Sequence, residues 1–122
     1  MTWVRFMGLR LEDLFAFVLE KRAEKVQVFN KVEASKVDGK WEHTFSVTVN
    51  VEFVGKTEKF RFEVEKIVAD HELREEEKKD TPEYASFQRS LLSMFHTVNT
   101  IERRLALIKQ TKLPNLVIEV QA

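Results

Sequence analysis

The stretch VQVFNKVEASKVDGKWEHTFSVTVNVEFVGKTEKFRFEVEKIV, residues 26–68, decides the fold. It alternates apolar and polar residues in long runs, broken at Asp38-Gly39 and again at Gly55-Lys56. Period-two alternation marks strands with one face in a core, and Asp-Gly readily takes the positive φ angles of a two-residue hairpin. The spacing predicts a three-strand antiparallel meander. From the first turn, Val32 falls opposite Phe45, Val28 opposite Val49 and Val26 opposite Val51. With Gly55-Lys56 as the second turn, Val51 meets Phe60, Val49 meets Phe62 and Val47 meets Val64. Both turns gather apolar residues on one face, and slipping a strand by one residue would send its apolar set into water. The other face carries Thr44, Ser46, Thr48 and Asn50, with Glu52 opposite Lys59 and Asn50 opposite Arg61. Asn30 breaks the alternation, and a bulge near Phe29 is the expected remedy.

Outward from the meander, Leu11, Leu14, Phe15, Val18 and Leu19 recur at helical spacing, which predicts a helix over Leu9–Lys25 with Glu12 and Asp13 in its first turn. The segment Met1–Met7 reads as a short edge strand or a tucked arm. After the meander, Asp70–Glu83 turns strongly acidic, a solvated connection. Thr81-Pro82 then suits a helix start, with Thr81 as cap and Pro82 in the first turn. Tyr84, Phe87, Leu91, Met94, Val98, Ile101, Leu105 and Ile108 keep a three-four spacing that predicts a long helix over Pro82–Gln110. Such a stripe serves either a coiled-coil seam or the cover of the apolar sheet face, and the sheet needs a cover. Leu92 and Phe95 broaden that stripe. Pro114 ends the helix region, and Leu116–Val120 reads as a terminal strand seeking a sheet edge. The expected fold is therefore one α+β domain, a two-layer sandwich in the order helix, three-strand antiparallel meander, long helix, short strand.

Composition narrows function by exclusion. A chain of 122 residues with 20 basic and 20 acidic side chains has no net charge to attract a generic polyanion. The absence of cysteine removes disulfides and thiol catalysis. No apolar run reaches membrane-spanning length and the N-terminus lacks a signal-peptide core, so cytoplasmic or virion-associated residence is expected. Abundant Lys and Glu with only 3 glycines resemble the composition of thermophile proteins.

The element order resembles three families. Helix, three strands, helix is the order of double-stranded RNA-binding domains, although here Thr81-Pro82-Glu83-Tyr84 opens the second helix where that family places lysines. Adding the last strand gives the order of the restriction-endonuclease-like core, with Glu63-Val64-Glu65 similar to the acid-x-acid variant of its third strand. That resemblance implies a metal-dependent nuclease using Glu63 and Glu65. A meander with two helices at this chain length is also similar to tail-completion proteins of tailed phages.

The residues themselves carry little chemistry. His43, His71 and His96 are scattered, and no Gly-rich phosphate loop or serine elbow is present, so no catalytic residue, metal ligand or cofactor is expected. One pattern stands out. Between Tyr84 and Lys112 the only acid is Glu102, and Arg89, His96 and Arg103 are spaced by seven on one helix face. Together with Arg104 and Lys109 they form a candidate partner-binding face, beside the plain reading of bases placed for the helix dipole and solubility. The functional expectation is a non-catalytic interaction or assembly protein of viral or mobile-element type, self-associating most simply as a dimer. A module binding nucleic acid weakly through the second helix, and a nuclease, are the alternatives. The register itself is testable. Val49→Asp should cost on the order of 4 kcal/mol by burying an unpaired charge, while Thr48→Asp should change stability by less than about 1 kcal/mol, both read from urea unfolding.

Overall fold

Asp13 starts the first helix: its carboxylate accepts the backbone N–H of Arg10 at 2.9 Å, satisfying a donor the helix leaves unused. The computed structural model describes residues 10–73 and 82–121. It contains α1 (Leu11–Glu20), β1 (Lys25–Val37), β2 (Lys40–Phe53), β3 (Lys56–Ala69), α2 (Pro82–Thr111) and β4 (Val117–Gln121). The strands form one sheet in the order β3-β2-β1-β4, antiparallel within the meander and parallel between β1 and β4. Both helices cover the same face. The expected α+β arrangement is present. Met1–Met7 and Thr81, assigned above to an arm and a helix cap, lie outside the described residues, as does most of the acidic connection.

α1 is shorter than the expected Leu9–Lys25. Arg22 takes a φ of 50°, its N–H bonds the carbonyl of Leu19 at 3.2 Å, and the N–H of Ala23 reaches back to Val18 at 3.0 Å. This paired closure ends a helix, and the buried side chains of Ala23 and Val18 seal it.

The first hairpin has the expected register: Val32 pairs with Phe45, Val28 with Val49 and Val26 with Val51. The second does not. Its turn residues are Val54 and Gly55, at φ 49° and 73°, so Phe53 pairs with Lys56. Val49 therefore faces Phe60 and Val47 faces Phe62, two residues away from the expected partners. Asn50 lies opposite Lys59 rather than Arg61, and Glu52 opposite Thr57 rather than Lys59. A two-residue shift preserves the face of every side chain, so both registers bury the same apolar set.

No irregularity occurs near Phe29. Asn30 stays in phase with Val28 and Val32 and donates its side-chain amide to the carbonyl of Gln121 at 3.3 Å. The bulge lies instead on β3, where Ser46 pairs with Glu63 and Phe45 with Glu65, leaving Val64 as the extra residue. Beyond it the phase of β3 reverses. Ile67 and Ala69 turn toward the helices and join the core, while Lys66 and Val68 face water.

α2 crosses this face obliquely. Near its start, Phe87 packs edge-on to Phe45 at 5.2 Å and to His43 at 6.0 Å. Toward its end, Ala106, Lys109 and Gln110 approach Ile118 of β4. α1 fills the corner beside it, with Phe17 edge-on to both Phe53 and Phe60 at 5.2 Å, and the guanidinium of Arg104 4.5 Å above the ring of Phe15. The core lies between, with Leu14, Val26, Val28, Phe45, Val49 and Ile101 fully buried. Val54 is a β-branched residue held left-handed at 80% exposure, a backbone state that costs about 1–2 kcal/mol. Val54→Asn should raise stability by about 1 kcal/mol, seen as a higher urea midpoint with an unchanged slope.

Candidate interaction site

β1 is covered unevenly. On one side it pairs with β2 from Lys25 to Val37, and on the other it pairs with β4 only from Lys25 to Phe29. Among the described residues nothing pairs with the outer side of Lys31–Val37, which presents a row of backbone N–H and C=O groups. The side chains along this stretch are all exposed, and Val32 is among them.

The same corner is poorly covered by helix. α2 leans toward β3 at its start, so among the described residues no helix covers the helix-facing side of the upper half of β1. There a groove of about 370 Å³ is lined by Asn30, Leu92, Phe95, His96, Glu102 and Val120, among others. Leu92 is 68% exposed and Phe95 46% exposed, an unusual placement for large apolar residues in mid-helix. The sequence reading placed both in the buried stripe, and this is corrected by the helix's rotation. Leu92 stands one residue beyond Leu91, about 100° further round the axis, and so turns away from the sheet.

The five basic-face candidates do not form one surface. Arg89, His96 and Arg103 are exposed along one line of α2, with the Arg89 guanidinium donating to Ser86 Oγ at 3.0 Å. Arg104 is stacked on Phe15 against α1. Lys109 points to the opposite flank, where its ammonium donates to the carbonyls of Pro114, at 3.1 Å, and Leu116. These two bases therefore have partners within the chain, although Arg104 remains exposed.

Glu63 and Glu65 are separated by the Val64 bulge. Glu63 pairs in phase with Ser46 on the polar face, whereas Glu65 lies beside Ser86, Arg89 and Ser90 on the helix side. The two carboxylates that an acid-x-acid metal site would bring together point to opposite faces. Among the described residues no group of three His, Asp or Glu converges on a metal position. No family model, curated protein or solved structure matches the chain.

Of the histidines, His43 is fully buried, and its Nε2 accepts the backbone N–H of Leu73 at 2.8 Å. An accepting nitrogen must be unprotonated, and burial holds the imidazole pKa below its ordinary 6.5. The folded chain thus favours neutral His43, which adds stability that is complete above about pH 6.5. That stability is lost as the pH falls from there through the lower folded value. Acidification from about pH 7 to about pH 5 should lower the urea midpoint, and His43→Phe should flatten that dependence.

Proposed function

We propose that the chain is a non-catalytic assembly protein that associates with itself. What supports the reading is the coincidence of two features at one corner. Leu92, 68% exposed, and its neighbour Phe95 stand beside a strand edge that no described residue pairs. Neither residue serves the core, and an apolar groove next to an unpaired edge suits a strand brought by another chain. Balanced charge favours association between like chains over binding to a polyanion. A nucleic-acid reading retains Arg89, His96 and Arg103 as its contact line. With two permanent positive charges on that line it gives a shallow salt slope, about two in log units.

Sedimentation equilibrium at micromolar concentration tests the assembly reading. The expected mass is twice the 14.4 kDa of the chain, falling toward the single-chain value on dilution. A mass of 14.4 kDa at every concentration overturns it.

A further inference from the structure

We infer that two copies of the chain join through the open part of β1. Lys31–Val37 of one copy pairs antiparallel with the same stretch of the other, about a two-fold axis at Ala34. The inference rests on the assembly reading and names its surface and geometry. With the axis on a residue and normal to the sheet, both helical layers lie on one side of a continuous eight-stranded sheet.

The register follows from what bounds the edge. At one end Gln121 of β4 already lies opposite Phe29, and at the other the Asp38-Gly39 turn ends the strand. Centring the pairing on Val32 would drive the second copy's Ser35–Val37 onto β4. Centring it on Glu33 would set two carboxylates face to face and place Val37 opposite Phe29. The pairing centred on Ala34 uses the whole open stretch. It sets Lys31 against Val37, Val32 against Lys36 and Glu33 against Ser35, with no like charges directly opposite.

The outer strand at the far side of the sheet, β3, is less suited. β3 is interrupted by the Val64 bulge, which breaks the regular row of donors and acceptors that a partner strand needs. The open part of β1 has no such break. The groove also fits a second copy. The pairing carries each Asp38-Gly39 turn to the end of β4 beside Asn30, at the groove's mouth. It also sets Lys36 on the helix side, above a groove whose acid is Glu102. The exposed apolar surface is thereby approached by the aliphatic stem of a lysine with a carboxylate nearby.

The chain contains no cysteine, so one introduced thiol reports one position. Facing residues of an antiparallel pair have Cα atoms about 4.5–5.5 Å apart, within the roughly 4.4–6.8 Å a disulfide spans. Mild oxidation of full-length Ala34→Cys should move most of the protein to twice the 14.4 kDa chain mass on a non-reducing gel, reversibly with reductant. Val54→Cys, at an exposed site on the distant hairpin tip, should stay largely single. If unmodified chain sediments as a dimer but Ala34→Cys couples no better than Val54→Cys, this interface is wrong and self-association stands on another surface. If unmodified chain sediments as a monomer and neither variant couples, both readings fail, and the edge is left to another segment or another partner.

Discussion

A strand paired to Val37 on one side and, among the described residues, only to Phe29 on the other is the constraint from which the rest of the molecule follows. β2 sits between two long neighbours and uses its backbone groups on both sides, so Val47, Val49 and Val51 become the centre of the core. β1 shares that core only in its lower half. Val26 and Val28 are buried under the helices, whereas Val32, in the same phase, is exposed. Burial along β1 stops close to where β4 stops: among the described residues the upper half of the strand has neither a lateral neighbour nor a helix above it to exclude water.

The position of β4 is fixed from below. The backbone of Glu24 bridges two strands: its N–H donates to the carbonyl of Glu52 at 2.8 Å, and its carbonyl accepts from Val117 at 3.0 Å. The end of α2 feeds into the same place. The N–H of Leu113 bonds back to Ile108 at 2.9 Å, and Lys109 gathers the carbonyls of Pro114 and Leu116. Two bases read from sequence as a binding face thus have partners within the chain, Lys109 on carbonyls past its own helix and Arg104, still exposed, over an aromatic ring of the other. Counting charges along a helix cannot separate these uses, since each depends on what stands beside the side chain.

The sequence made legible what depends on local chemistry. Asp38-Gly39 specifies its turn through the two residues themselves, and the first register follows from it. The helical stripe of α2 is equally direct, because Phe87, Met94, Val98, Ile101 and Leu105 repeat at the period that one buried face requires. What escaped were features set by context. Val54 occupies a left-handed position that its branched side chain disfavours, and the neighbouring Gly55 suggested a turn one residue further on. The resulting two-residue shift kept every face unchanged, so hydrophobic patterning had no power to detect it. Leu92 and Phe95 were misplaced for a related reason: apolar identity signals burial only when the rotation of the helix agrees. Leu92 stands about 100° round the axis from Leu91, beyond the buried stripe, and Phe95 lies at the margin of that stripe on the same side.

The bulge at Val64 shows how one irregularity settles several outcomes together. With strict alternation, Lys66 and Val68 would face the helices, and Ile67 and Ala69 would face water. The extra residue reverses this, so the core extends to the upper end of β3 and receives Phe87 and Leu73 there. It also parts Glu63 from Glu65, removing the paired carboxylates that the alternating pattern suggests. Finally, it spoils β3 as a template for a further strand. The outer side of β3 and the open part of β1 therefore differ in kind. One is long but broken, the other short but regular, and the regular one lies where α2 has turned Leu92 and Phe95 outward.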